Sequence, residues 1–177
     1  GHLFPAISMA AHVTASPNHQ TGRATPLKFR FDVAMSARLG FELQPCDMTK
    51  EDAAFSKRAL AEYKRIRPVV QFGDLYRLSS PYESRVAALM YVHEKRAVVV
   101  AWLMDKWLAD SPPPLRLKGL NPAARYLVRE INLDENGPLA NVHERVLGGD
   151  FLMNAGIRIN WKNAFQSVCM EVTETGS

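Results

Sequence analysis

The stretch that most constrains the fold is residues 9–45, which read MAAHVTASPNHQTGRATPLKFRFDVAMSARLGFELQP. The segment that leads into it, residues 3–14, is apolar and lacks acidic side chains, which is typical of a parallel strand buried on both faces. A long polar loop follows, then apolar residues at helical spacing, then the alternating pattern of a strand at residues 40–44. Strand, loop, helix and strand in this order are the building unit of parallel α/β barrels. The stretch therefore predicts part of such a barrel.

Capping residues predict where the helices of this part begin and end. Pro26 suits the first position of a helix, with Thr25 as its N-cap and Gly40 as the residue that ends it. A second helix is predicted from Thr49, because acidic residues in its first turn interact favourably with the helix dipole. Pro68 is expected to stop this second helix, since the residue before a proline disfavours the helical conformation.

From residue 69 the pattern changes to short apolar segments separated by turn signals such as Asn136-Gly137-Pro138. The segments read VVQF, DLYRLSS, RVAALMYVH, RAVVVAWLM, LRLKGL, RYLVREINL, GDFLMNAGIRIN and SVCMEVTE. Seven or eight such segments with no intervening helix predict an antiparallel β-sandwich. The sequence therefore predicts an α/β part, an incomplete barrel over residues 1–67, and an all-β part over residues 68–177.

Charge, hydropathy and cysteine content exclude several classes of protein. The 22 Lys and Arg residues against 18 Asp and Glu residues are scattered without a long run of like charge, so we expect no nucleic-acid partner. No apolar run approaches the ~18 residues that span a bilayer, so we expect a soluble chain and no membrane partner. Cys46 and Cys169 lie far apart without metal-binding spacing, so we interpret them as free or buried thiols.

Three phrases of the barrel part, AHVTASPNHQTGR, TPLKFRFDVAMS and LGFELQP, are very similar to the last part of the catalytic barrel of the bacterial α-galactosidases of glycoside hydrolase family thirty-six. The resemblance continues through RPVVQFGDLYRLSSPY and GDFLMNAG, and so covers almost all of the chain. It implies the last strands and helices of a (β/α)8 TIM barrel, followed directly by a C-terminal antiparallel β-sandwich.

The resemblance also implies a function. It indicates a retaining enzyme that releases terminal α-linked galactose from galactosyl oligosaccharides such as melibiose and raffinose, with no metal or organic cofactor. The family's Lys-Trp-Asp phrase and its Gly-rich segment after a Cys-Ser pair are not found here, so the two catalytic aspartates are expected upstream of this chain. We therefore expect the C-terminal region of a bacterial enzyme of the cytoplasm or periplasm, and no turnover by the 177-residue chain alone.

The candidate substrate-binding residues lie around the loop that follows the first strand. Residues 15–23, which we call the mouth loop, would lie at the catalytic mouth, because barrel active sites form at the carboxyl ends of the strands. Asn, His and Arg supply donors, acceptors and fixed charge for sugar hydroxyls, and the candidates are His12, Asn18, His19 and Arg23. The alternative is that these polar side chains cap the following helix and tie the loop down. No catalytic residue and no metal ligand are assigned.

Two acidic side chains of the barrel part are considered for a chemical role. Alternation places Glu42 on the inner face of its strand, but no second carboxylate is visible at the ~5–5.5 Å that a retaining pair requires, so we expect a structural acceptor. Asp32 is expected to pair with one of three basic neighbours on its helix, Lys28, Arg30 or Arg38.

A second interpretation concerns residues 68–177 alone. Exposed aromatic side chains would make this part a carbohydrate-binding domain, with Trp107 as the exposed candidate and Trp102 assigned to the core. An interaction domain that builds a homo-oligomer is another alternative, which needs no exposed site. Since an incomplete barrel leaves an edge unpaired, residues 1–45 are expected to be poorly ordered in isolation, or paired with another copy.

Overall fold

A computed structural model of the chain describes residues 4–105 and 112–176. Within these residues, eight strands and three α-helices follow one another along the chain. Their bounds are β1 (Ala10–Val13), α1 (Leu27–Met35), β2 (Arg38–Phe41), α2 (Lys50–Phe72), β3 (Asp74–Ser79), β4 (Val86–His93), β5 (Arg96–Leu103), β6 (Arg125–Ile131), β7 (Arg145–Gly148), α3 (Gly149–Asn154) and β8 (Ser167–Thr175). No helix of the described residues is long and apolar enough to cross a membrane.

β1 and β2 lie side by side in parallel, and α1 connects them. This confirms the predicted strand, loop, helix and strand unit. Val13 of β1 is buried with Phe31 and Ala34 of α1, so one face of the two-stranded sheet packs on the helix. β1 covers only the end of the predicted segment 3–14, because a 3-10 turn occupies Ala6–Ser8. β2 starts two residues before the predicted residues 40–44 and ends at Phe41.

The predicted ends of α1 are wrong. The helix begins one residue after Pro26, and no side chain caps it, so Thr25 is not its N-cap. It ends at Met35, and Gly40 lies inside β2 instead of terminating the helix. The reason is pairing: Gly40 lies opposite His12 in the parallel ladder, which holds it in an extended conformation.

α2 begins where predicted and ends later than predicted. The Thr49 side chain accepts a hydrogen bond of 3.0 Å from the backbone of the first turn, which confirms the N-cap. The helix continues through Pro68 to Phe72, so the predicted stop and the predicted strand VVQF are wrong. An internal proline costs about 3 kcal/mol. Val69 and Val70 follow it and are buried against the sheet, and burying two valine side chains contributes about 3–6 kcal/mol, which offsets that cost.

The remaining strands form one six-stranded antiparallel sheet in the order β3-β4-β5-β8-β6-β7. We call this sheet and its connecting loops the β domain. Its central strands are buried on both faces: Val98 and Val100 of β5 face α2, whereas Val99 and Leu103 face the loop layer on the other side. This confirms an antiparallel C-terminal β domain.

The loop layer differs from the second sheet that a sandwich implies. Within the described residues it consists of extended segments joined by isolated bridges, Leu115 to Ile157 and Ala140 to Ile159. The predicted strand GDFLMNAGIRIN is wrong in its first half, which forms α3 and buries Leu152 in the core. The predicted boundary between the barrel part, residues 1–67, and the all-β part, residues 68–177, lies within α2. This domain boundary stays a prediction.

Candidate functional site

The side chains of His12 and Glu42 meet at the carboxyl ends of β1 and β2. His12 Nδ1 lies 2.6 Å from Glu42 Oε1, a close polar contact that becomes an ion pair when the imidazole is protonated. The two side chains are 45% and 54% exposed. The pair is therefore accessible from outside.

Strand alternation and register explain why these two side chains meet. Val13 and Leu39 pack toward α1, so His12 and Gly40 lie on the opposite face of the sheet. A Cβ atom on Gly40 would lie only 2.0 Å from His12 Cδ2. The imidazole ring thus occupies the space that any other residue at position 40 would fill, and from there it reaches Glu42. Glu42 lies on the same side as His12, opposite the Phe41 and Leu43 side chains that pack toward α1. Its predicted place on the inner face of a barrel stays a prediction, and the sequence did not indicate His12 as its partner.

Asn18 organises the mouth loop from within. Its Oδ1 accepts hydrogen bonds of 3.1 Å from the backbone N–H groups of Gln20 and Thr21, and one of 3.2 Å from the Thr21 hydroxyl. Its backbone N–H donates to the carbonyl oxygen of Arg23 at 2.9 Å, and its own carbonyl accepts from Gly22 at 2.8 Å. These contacts match the loop-structuring alternative for Asn18 and occupy its side-chain oxygen.

The other two candidates lie exposed on the mouth loop. His19 is part of the turn that Asn18 closes. Arg23 points toward the β domain, where its Cζ atom lies 5.9 Å from the centroid of the Phe165 ring. The structure therefore brings His12 to Glu42 and Arg23 to Phe165, and it does not join the four candidates in one hydrogen-bonded cluster.

Two further contacts hold the ends of the segment between β1 and α1. Arg30 of α1 donates from Nη1 to the carbonyl oxygen of Thr14, directly after β1. The backbone N–H of Thr25 donates to the Ser16 hydroxyl at 3.0 Å, which closes the base of the segment. The mouth loop therefore starts and ends at fixed positions.

Asp32 lies at the centre of a buried polar cluster between α1 and the β domain. The predicted pairing with Lys28 is confirmed, with Lys28 Nζ 2.6 Å from Asp32 Oδ2. Asn132 Nδ2 donates to Asp32 Oδ1 at 2.9 Å, and the Ser167 hydroxyl donates to Oδ2 at 2.7 Å. Burial disfavours the Lys28 ammonium, but the Asp32 carboxylate outweighs it and holds the pKa of Lys28 above its ordinary value. The cluster therefore fastens α1 to β8 and to the end of β6.

The remaining predicted features are placed as follows. Trp102 packs against the core between α2 and the sheet, as predicted. Trp107, the candidate for an exposed sugar-binding aromatic, lies outside the described residues. Cys46 is exposed and Cys169 is buried, and both are free thiols. No group of three or more His, Cys, Asp or Glu side chains within residues 4–105 and 112–176 could hold a metal ion.

Two family models match the chain. The model Melibiase matches residues 1–73, and the model Glycosyl hydrolase family 36 C-terminal domain matches residues 86–172. Their border falls between α2 and β4, close to the start of the β domain.

Individual relatives agree with these models. The chain is 38% identical to alpha-galactosidase AgaA of Geobacillus stearothermophilus over 92% of its own length and 21% of that protein. It is 35% identical to the probable alpha-galactosidase G of Aspergillus terreus over 93% of its own length and 21% of that protein. The chain thus spans about a fifth of the length of these curated relatives.

Solved structures are similar over nearly the whole chain. The crystal structure of the GH36 alpha-galactosidase AgaB from Geobacillus stearothermophilus superposes with a TM-score of 0.82 at 36% identity, covering 97% of this chain and 22% of that one. The AgaA A355E D548N variant from the same organism, in complex with raffinose, gives a TM-score of 0.84 at 35% identity over 98% of this chain and 23% of that one. The chain therefore belongs to glycoside hydrolase family 36.

Proposed function

We propose that this chain is the C-terminal region of a retaining α-galactosidase, which hydrolyses terminal α-linked galactose from oligosaccharides such as melibiose and raffinose. We call the enzyme that contains it the intact protein. Two solved relatives are described in complex with raffinose and stachyose, and the curated relatives are named as α-galactosidases. These names favour the enzyme over the alternative of a separate carbohydrate-binding or oligomerisation domain.

The observation within the chain that carries the proposal is the position of the His12 and Glu42 pair. In our proposal β1 and β2 are neighbouring strands of a (β/α)8 barrel, with α1 on the outside. The sheet face that carries His12 then lines the barrel interior, and the carboxyl ends of the strands form its catalytic mouth. The accessible polar pair at the ends of two parallel strands is placed as such a substrate site requires.

The close contact between the two side chains suggests a role for each. Glu42 Oε1 lies 2.6 Å from His12 Nδ1, and in our proposal Nδ1 of a neutral imidazole donates to it, which leaves Nε2 as an acceptor. We propose that Nε2 accepts a hydrogen bond from a hydroxyl group of the substrate, and that Glu42 keeps the ring in this tautomer and orientation. Asn18, His19 and Arg23 complete the substrate side of the proposal through the mouth loop.

The catalytic carboxylates are proposed to lie outside these 177 residues. Retaining hydrolysis uses a nucleophile and an acid/base about 5–5.5 Å apart on either side of the scissile bond. Glu42 is bound to His12, and Asp32 is buried between Lys28 and Ser167, so neither is free to act in such a pair. The chain is therefore proposed to contribute substrate contacts and support, with the chemistry supplied by the rest of the barrel.

The experiment that tests the proposal compares the intact protein with the 177-residue chain. We expect the intact protein to release galactose from raffinose and to cleave an aryl α-galactoside, and we expect no detectable turnover by the chain alone. Inactivity of the intact protein on both compounds would refute the assigned function. Turnover by the chain that is lost in Glu42→Gln would refute the placement of the catalytic carboxylates.

A further inference from the structure

We propose that Phe165 of the β domain is a positioning residue for the mouth loop, because its ring receives the Arg23 guanidinium and so fixes the end of the loop. The inference rests on the proposed function, in which the mouth loop faces the substrate. It gives the β domain a direct role in positioning the mouth loop, in addition to its packing against the helices.

The Phe165 ring contacts both the mouth loop and α1. Arg23 Cζ lies over the ring, 5.9 Å from its centroid, a distance at which a cation is attracted by the face of an aromatic ring. Phe29 of α1 also meets the ring, edge-on, with centroids 5.7 Å apart and an interplanar angle of 84°. One β-domain side chain thus contacts both the loop and the helix that follows it.

The backbone at Phe165 indicates that this placement is maintained against a local cost. Its φ of 56° lies in the left-handed region, which bulky residues rarely adopt. Residues persist in this conformation where the surrounding structure determines it, and they are enriched at functional positions. A smaller or more flexible residue would adopt this backbone conformation more easily. We therefore attribute the aromatic side chain at this position to the contacts that its ring makes.

Hydrogen bonds on both sides of Phe165 hold this turn in place. The Phe165 N–H donates to the Leu103 carbonyl, and the Leu103 N–H donates to the Gln166 carbonyl, each at 2.9 Å. The Gln166 side-chain oxygen accepts from the backbone N–H groups of Lys162 at 2.6 Å and Asn163 at 3.0 Å. The ring is therefore presented from a rigid turn at the start of β8, so it offers Arg23 a fixed point of attachment.

The contact completes the anchoring of the mouth loop. The start of the segment is tied to α1 through Arg30, and its base is closed by Ser16 and Thr25. Asn18 joins the middle of the loop to the backbone of Arg23. The Arg23 side chain then connects this folded loop to the β domain, so that loss of the ring would free the middle of the loop from the β domain while its two ends stay tied.

The test uses variants of the intact protein that separate the cation–ring contact from ordinary packing. Phe165→Leu keeps an apolar side chain but removes the aromatic face, and we expect it to raise KM for an aryl α-galactoside by about two- to fivefold with kcat little changed. Phe165→Trp keeps an aromatic face and is expected to retain the wild-type KM. Arg23→Met should raise KM at least as much as Phe165→Leu does, and the double variant should be no worse than Arg23→Met alone.

A matched control removes the other contact of the same ring. Phe29→Leu breaks the edge-on pair and leaves Arg23 over Phe165, so it should lower the thermal midpoint without changing KM. Equal KM effects of Phe29→Leu and Phe165→Leu would overturn the proposal, because general packing would then explain both.

A second readout does not depend on turnover of a galactoside by the intact protein. Trypsin cleaves after arginine, and a guanidinium held on a ring is protected from it, so we expect Phe165→Leu to speed cleavage after Arg23 and Phe165→Trp to leave the rate unchanged. Wild-type turnover together with unchanged KM and unchanged cleavage in Phe165→Leu would overturn the positioning role and leave the proposed function intact. Absence of wild-type turnover would overturn both, and the cleavage rates would then report on the contact by itself.

Discussion

The Ser167 hydroxyl, at the first residue of β8, donates a 2.7 Å hydrogen bond to Asp32 Oδ2 in the middle of α1. The two residues are almost completely buried and belong to the two parts of the chain that match different family models. Because Lys28 and Asn132 bind the same carboxylate, the border between α1 and the β domain contains a buried hydrogen-bonded cluster around a paired charge. Such a cluster favours one relative arrangement of the two parts, since any other would leave a buried charge unpaired.

Removing the charge of Asp32 should therefore destabilise this border. We expect Asp32→Asn in the intact protein to cost about 3–5 kcal/mol, because the buried Lys28 ammonium loses its counter-ion. Ser167→Ala removes a single neutral donor and should cost about 1–2 kcal/mol. Thermal unfolding of both variants measures the difference. An equal, small effect of the two substitutions would contradict the role of the ion pair.

Gly40 and His12 should act as a unit in substrate binding. Because a Cβ atom at position 40 would lie 2.0 Å from His12 Cδ2, Gly40→Ala must displace the imidazole from Glu42. We expect Gly40→Ala and His12→Ala each to raise KM for an aryl α-galactoside about tenfold. The double variant should resemble His12→Ala alone, as expected for residues acting through one contact. Wild-type kinetics in Gly40→Ala would show that the ring position is unimportant.

Asn18 and His19 should respond differently to substitution. Asn18→Asp keeps the side-chain oxygen that accepts from Gln20 and Thr21, so it should retain the loop and most of the activity, whereas Asn18→Ala should lose both. His19→Ala removes an exposed side chain and is expected to alter KM or kcat while leaving the melting temperature within a few degrees of wild type. Steady-state kinetics and thermal unfolding separate these outcomes. Full activity of both alanine variants would contradict a part of Asn18 and His19 in substrate binding.

The acid stability of the β domain should depend on Glu171. Burial alone would raise the pKa of Glu171, but hydrogen bonds from Arg65 and Arg96 outweigh it and hold the pKa below its ordinary value. A carboxylate with a depressed folded-state pKa contributes stability above the unfolded pKa and loses it as the pH falls through the folded value. We therefore expect Glu171→Gln to be less stable than wild type at neutral pH and to lose less stability on acidification. Parallel stability curves of the two proteins between neutral and acidic pH would contradict this assignment.

Local patterns predicted most of the elements correctly. The apolar runs of β4, β5 and β8, and the strand, helix and strand order around α1, follow from periodicity and turn residues. Predictions failed where tertiary contacts outweigh local preference. Pro68 remains helical because Val69 and Val70 are buried, and Gly40 remains extended because it pairs with His12.

The candidate site was predicted in part. The strand pattern predicts where β1 ends, and with it the positions of His12 and of the mouth loop. The pairing of His12 with Glu42 depends on the register of two parallel strands, which the sequence does not specify. Phe165 lies far along the chain from Arg23, and no local pattern connects the two. The one available signal was the combination of alternating faces with a glycine in the second strand, which leaves room for a large side chain from its neighbour.

The most direct test of the account is the anomeric form of the galactose that the intact protein first releases from raffinose, followed by proton NMR before mutarotation. A retaining mechanism through a covalent intermediate predicts that the α-anomer appears first and the β-anomer later. Initial appearance of the β-anomer, or no release of galactose, would contradict the assignment of this chain to a retaining α-galactosidase.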